Sequence, residues 1–137
     1  MRKDAPRSPC PISTALDLWG DRWTLLVIRD LMFGGKRHFR QFLQSEEGIS
    51  SNILADRLAG LVEAGLVRRE GDAEHAQKVR YSLTAKGLDL LPVLVAMSAW
   101  TQKHHPATRL PGAAALVRQD ARGLQRLRAQ LRREHGA

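Results

Sequence analysis

One short run carries side chains with the types and spacing to read hydrogen-bonding edges. Ser51, Asn52, Ala55 and Asp56 recur at i, i+1, i+4 and i+5, so on an α-helix they share one face, while Ile53, Leu54, Leu58, Leu61 and Val62 make the opposite, apolar stripe. An Asn amide pairs with the N6 and N7 edge of adenine, an Asp carboxylate accepts from a cytosine amino group, and small residues let the helix approach closely. The same face also suits an ordinary solvated helix, and Asp56 is equally able to orient Arg40 or Arg57. Cations flank the run: Lys36, Arg37 and Arg40 precede it, Arg57 lies within it, and Arg68, Arg69, Lys78 and Arg80 follow. Each alone reads as a solvated charge, but an excess on both sides of a small polar helix face is the pattern that phosphates would meet. Ser50 is positioned to cap the helix, with a hydroxyl that also reaches a phosphate. The candidate base-reading residues are therefore Ser51, Asn52, Ala55 and Asp56. The candidate phosphate and hairpin contacts are Arg37, Arg40, Ser50, Arg57, Arg68, Arg69, Lys78 and Arg80.

A second chemistry belongs to Cys10, the lone cysteine. It precedes Pro11 at a helix start and has Arg7 nearby, a setting that favours thiolate, although a small packing residue fits the same position. With one thiol per chain, an oxidised form needs the Cys10 of a second subunit or a low-molecular-weight thiol. No other pattern suggests catalysis or a cofactor: the sequence has no glycine-rich phosphate loop, nucleophile elbow or paired carboxylates. His104 and His105, and the isolated His38, His75 and His135, lack partners at metal-ligand spacing and read as surface or capping residues, so no metal and no enzymatic activity are expected. A thiol enzyme built on Cys10 is disfavoured because no histidine lies near it in sequence.

The elements that must position these groups follow from periodicity and breakers. Ser13 caps a short first helix that Gly20 ends; Asp21 caps a second, RWTLLVIRDLMF, with Trp23, Leu26, Val27, Ile28 and Leu31 inward and Gly34 and Gly35 as its stop. Phe39, Phe42 and Leu43 share a face of a short third helix, Glu47 and Gly48 turn the chain, and the helix from Ser50 runs to about Ala64 and Gly65. Two helices joined by so tight a turn make a helix-turn-helix. Leu66 to Glu70 and Val79 to Leu83 read as strands around the polar tip GDAEHAQK, a hairpin placed as a wing. Thr84 then caps a helix with Leu88, Leu91, Val95 and Trp100 on its stripe; of the three tryptophans, core packing is the favoured role. After Pro106, Pro111 and Gly112 a last helix is expected from about Ala113 to Arg133, with Val117, Leu124, Leu127 and Leu131 inward. That stripe is too amphipathic to stand free, and a two-fold partner would bury it.

Composition bounds the rest. The 137 residues suit one core rather than two. A mean hydropathy of −0.33, with no apolar run approaching a membrane span and no signal-peptide core at the N-terminus, predicts a soluble, cytoplasmic protein without a membrane partner. The net charge of +8 is uneven: residues 107–137 hold seven arginines against Asp120 and Glu134, a net of +5, leaving +3 for the remainder.

The segments CPISTAL (10–16), WGDRWTLLVIRDLMFGGKRHF (19–39), GISSNILADRLAGLVEAGLVRR (48–69) and VRYSLTAKGLDLLPVL (79–94), in this order, resemble the HxlR-type winged helix-turn-helix transcription regulators, relatives of the MarR group. The resemblance implies a mainly α fold with a small β-hairpin, residues 1–106 forming the winged helix-turn-helix domain and 107–137 a basic amphipathic dimerisation or accessory element. It implies a homodimer, joined by terminal helices, that binds double-stranded DNA at a partly palindromic operator; the expected activity is that of a repressor where the operator overlaps a promoter, with activation the alternative, modulated by a small-molecule effector or by oxidation or alkylation of Cys10. The competing expectation is a winged-helix interaction or assembly module without sequence readout.

Overall fold

The computed structural model describes residues 5–71, 78–109 and 121–137. Its elements are α1 (Pro11–Trp19), α2 (Thr24–Met32), α3 (Phe39–Phe42), α4 (Ser51–Glu63), β1 (Val67–Gly71), β2 (Val79–Leu83), α5 (Ala85–Leu88), α6 (Leu91–His104) and α7 (Ala121–His135). Both the helix order and the hairpin after α4 agree with the sequence reading.

Local chemistry sets the boundaries. Helix α1 begins two residues before Ser13 because Pro11 occupies the first turn, where a missing N–H costs nothing. The Asp21 carboxylate accepts from the backbone N–H groups of Trp23 (3.0 Å) and Thr24 (3.1 Å) and so caps α2. Ser50 Oγ accepts from Ile53 N–H at 3.3 Å, which starts α4, and Gly65 at φ 76° turns the chain into β1. The single helix expected after Thr84 is two. Thr84 caps the short α5 through Gly87 N–H, and the chain then breaks at Asp89 and Leu90, because Pro92 in the first turn of α6 has no N–H to continue the ladder.

The strands pair antiparallel from Val67 opposite Leu83 to Gly71 opposite Val79, one residue later in β1 than expected. Cross-strand partners share a face, so Val67, Leu83 and Tyr81 point inward while Arg68, Ser82, Glu70 and Arg80 share the outer face. The core gathers Val27, Ile28 and Leu31 of α2 with Phe42, Leu54, Leu58, Leu61, Leu83, Leu88 and Leu91, and Phe42 meets Tyr81 edge to face at 6.3 Å. The fit is close at Gly87, where a Cβ would sit 2.1 Å from the Leu66 carbonyl oxygen, so α5 can lie against the start of the hairpin only with glycine there.

Two expectations fail. Trp100 is 62% exposed and lies against His104 and His105 rather than in the core, because α6 is covered on its Leu91 and Leu94 side only. The leucine stripe of the last helix does not wait for a partner: Leu127 and Leu131 are buried in this chain's own core, beside α5. The expected start of that helix near Ala113, Val117, and the hairpin tip with His75 lie outside the described residues.

Candidate nucleic-acid interface

The outward face of α4 is as the spacing predicts. Ser51, Asn52, Ala55, Asp56 and Ala59 are all exposed, and Leu54, Leu58 and Leu61 are buried beneath them. Ser50 is spent as the cap. Asp56 gives one oxygen to Arg57 Nη1 at 2.5 Å, so the carboxylate is oriented by its own helix and not by Arg40.

The eight cations and caps separate into two groups once their partners are known. Arg57 Nε reaches the Asp21 carboxylate at 2.8 Å, joining α4 to the cap of α2; that bond leads the effects that raise the Arg57 guanidinium above its usual value. Burial pushes Asp21 up, but hydrogen bonds from Thr24, Arg57 and the two backbone N–H groups outweigh it and hold the carboxyl at about 2. Arg37 turns into the fold, donating from Nε to the Tyr81 carbonyl (2.7 Å), from Nη2 to Ser82 Oγ and from Nη1 to the Glu134 carbonyl (3.2 Å). Burial, then the neighbouring Arg80 and Arg68 cations, lower its pKa. Arg68 donates to Glu70 and to the His135 carbonyl. By contrast, Arg40, Arg69, Lys78 and Arg80 make no hydrogen bond or ion pair with any described residue and all are exposed.

Three of those four converge. Arg40, Arg69 and Lys78 line one concavity of about 630 Å³ between α3 and the hairpin, together with His38, Gln41 and Tyr81. Its floor is fixed: Gln41 Oε1 accepts from the backbone N–H groups of Arg37 and His38, His38 Nδ1 lies 3.1 Å from the Val79 carbonyl, and Tyr81 N–H donates to the Arg37 carbonyl. Cations gathered on a hydrogen-bonded floor can hold phosphates while a separate helix face meets bases.

The turn before α4 is equally fixed. Arg29 forks onto Glu47 at 2.7 and 2.8 Å and onto Asp30, and the guanidinium holds the Glu47 carboxyl at about 2. Asp30, buried at the end of α2, also takes Ser45 Oγ and Lys36 Nζ.

A family model described as HxlR-like helix-turn-helix matches residues 18–109, the span from the end of α1 past α6. The chain belongs to the HxlR-like helix-turn-helix family. Among relatives, an HTH-type transcriptional regulator of Synechocystis, sll1512, is 41% identical over 64% of this chain, and the regulator Rv3095 of Mycobacterium tuberculosis 37% identical over 73%. These matches span 64% and 62% of those proteins, under two thirds of their length. Among solved structures, the reduced form of the regulator YodB from Bacillus subtilis superposes with a TM-score of 0.60 at 34% identity, covering 74% of this chain and all of that one. The redox regulator HypR in its oxidised form gives 0.62 at 32% identity, over 69% of this chain and 96% of its own. The HxlR-like match ends before α7, which contributes to the fold from outside it.

Cys10 is exposed, at the N-cap position of α1. Its backbone N–H is held by Ser8 Oγ at 3.2 Å, and Arg7, the cation nearest in sequence, is bonded to Asp17 at 2.7 Å instead. Sequence reasoning missed Asp21, Gln41 and His135. Asp21 was legible as a cap but not as the partner of Arg57, and no local signal marked the other two as cross-links.

Among the described residues, no three His, Cys, Asp or Glu side chains group to hold a metal ion, and no helix is long and apolar enough to cross a membrane.

Proposed function

We propose that this chain is a winged-helix transcriptional regulator that binds double-stranded DNA as a homodimer, with α4 in the major groove and the hairpin beside it on the backbone. The observation that carries this is the exposed Ser51, Asn52, Ala55 and Asp56 face flanked by the uncommitted Arg40, Arg69, Lys78 and Arg80. Residues 1–106 act as the reading unit and 107–137 as its accessory element. A homodimer is supported by apolar side chains left exposed on α1 and α6: Ile12 at 72%, Leu16 at 53%, Met97 at 49% and Trp100. Two copies would read a partly palindromic operator, repressing wherever it overlaps a promoter.

Two inputs fit the structure. A cleft of about 280 Å³ between α2 and α6, lined by Leu25, Leu26, Phe33, Leu94 and Met97 and also by Arg29, Thr101 and Arg109, suits a small, largely apolar effector with a polar group. The exposed Cys10 suits oxidation or alkylation in a reducing cytoplasm, where an oxidant would join it to the partner's Cys10 or to a low-molecular-weight thiol. Support also comes from HypR, named a redox regulator, and from YodB, solved both reduced and treated with diamide.

The test uses the intergenic DNA upstream of the chain's own gene in a competition assay at near-physiological salt. Preference over a scrambled duplex is expected. Equal affinity for both would remove sequence readout, and a salt-insensitive complex with a protein in place of DNA would make the fold an assembly module.

A further inference from the structure

The last helix ends in an unusual junction. His135, 3% exposed, accepts the Leu83 N–H on Nδ1 at 2.9 Å and presents Nε2 to the Leu31 carbonyl at 3.2 Å. This requires the neutral ring with its proton on Nε2, because a backbone N–H only donates and a carbonyl only accepts. One imidazole thus satisfies the N–H of Leu83, the last residue of β2, and a carbonyl from the last turn of α2. The two carbonyls that end α7 are met by cations, Glu134 by Arg37 and His135 by Arg68, which suits the negative end of a helix dipole. Arg37 and Ser82 lie beneath them, so Ser82 on the hairpin's outer face is 1% exposed. Leu127 and Leu131 seat the same helix in the core.

We propose that α7 is a latch over the Ser82 end of the hairpin's outer face, closed by the neutral imidazole of His135 and opened when Nδ1 takes a proton from solvent. The protonated Nδ1 points an N–H at the Leu83 N–H and adds a cation beside Arg37 and Arg68. Opening uncovers Ser82 and its surroundings and unties both arginines from α7.

The charged groups around the ring oppose a second proton on balance. Arg37 from the segment before α3 and Arg68 from β1 oppose a second proton, and Glu134 on α7 itself partly offsets them. Helix α2 offers only its carbonyl, since its Asp30 is held by Arg29, Lys36 and Ser45; Lys86 on α5 caps the end of α4, and Asp89 just after α5 pairs with Arg128. Burial is the largest influence and, with the two arginines, lowers His135 from 6.5 to about 4. A depressed histidine favours the docked state fully above its free value, and that preference is lost as pH falls from 6.5 toward 4. Between about pH 7.5 and about pH 5.5 the docking equilibrium should fall about tenfold.

The test is amide hydrogen exchange on the full chain, corrected for the intrinsic pH dependence of exchange. Protection of the Leu83 amide and of α7 should fall about tenfold over that interval in the wild type. His135→Gln should be flat across it. Unchanged wild-type protection, or an equal fall in the variant, overturns the latch. A wild-type His135 ring that titrates near its free value by NMR overturns it too, whether or not the variant folds.

The coupling to DNA rests on the proposed DNA-binding function and is read separately, as affinity for a short mixed-sequence duplex. A steeper pH dependence in the wild type than in His135→Gln supports it, and equal dependence refutes it. Absence of any DNA complex at neutral pH refutes the DNA-binding function itself, while the exchange result still decides the latch.

Discussion

The division of the cations into committed and free groups has a measurable consequence in the salt dependence of DNA binding. Arg40, Arg69, Lys78 and Arg80 make no hydrogen bond or ion pair with a described residue, whereas Arg37, Arg57 and Arg68 are held by Tyr81, Ser82, Asp21, Asp56, Glu70 and the α7 carbonyls. Each phosphate neutralised contributes roughly −0.9 to the slope of log K against log salt, so four cations on each protomer of the proposed dimer give a slope of about −7. Engaging all seven on each protomer would give about −13. Single substitutions sharpen the comparison. Arg80→Ala should flatten the slope by about 1.8, because the proposed dimer would lose two contacts, while Arg57→Ala should leave it unchanged. Fluorescence anisotropy of the operator duplex over a chloride series measures both slopes. A loss at Arg57 as large as at Arg80 would refute the inference that ion pairing to Asp21 keeps that guanidinium from phosphate.

Asn52→Ala should change base preference within the operator while the salt slope stays fixed, as a selection on randomised duplexes would reveal. Leu131→Ala removes a side chain that is 1% exposed and should cost roughly 2 to 5 kcal/mol in denaturant unfolding. If the last helix were instead a dimer seam, its effect would track protein concentration. The Glu47 carboxyl, held at about 2 by Arg29, contributes stability that is present above its ordinary value of 4.5 and lost as pH falls from 4.5 toward 2. Glu47→Gln should flatten the acid limb of a thermal stability curve in that window; an unchanged limb would mean that the pair contributes nothing. Cys10→Ser should abolish any diamide-induced change in DNA affinity, with the wild-type adduct seen by intact mass.

Much of the reading unit was legible because its signals are local. Ser50, Asp21, Thr84 and Gly65 announce helix ends through bonds or dihedrals reached within three residues, and the α4 stripe repeats at helical spacing. The exposed polar face of α4 followed directly from that spacing. The break before α6 was missed because Thr84's cap and the leucine stripe read continuously through Pro92, and Trp100 was misjudged because a stripe does not say how far along it the neighbouring elements extend.

What the sequence determined by itself is therefore the order of elements, the face of α4 that stays outside and the basic character of its flanks. The tertiary structure decided which cations are committed: beyond the local carboxylates Asp56 and Glu70, Arg37 and Arg57 find partners 36 to 97 residues away and Arg68 finds the Leu83 and His135 carbonyls, whereas Arg40 and Arg80 make no hydrogen bond or ion pair with a described residue. It alone made His135 a keystone. A histidine near a chain end carries no periodic or capping signal, and its role exists only where β2, α2 and α7 bring a free N–H and a free carbonyl to opposite sides of one ring.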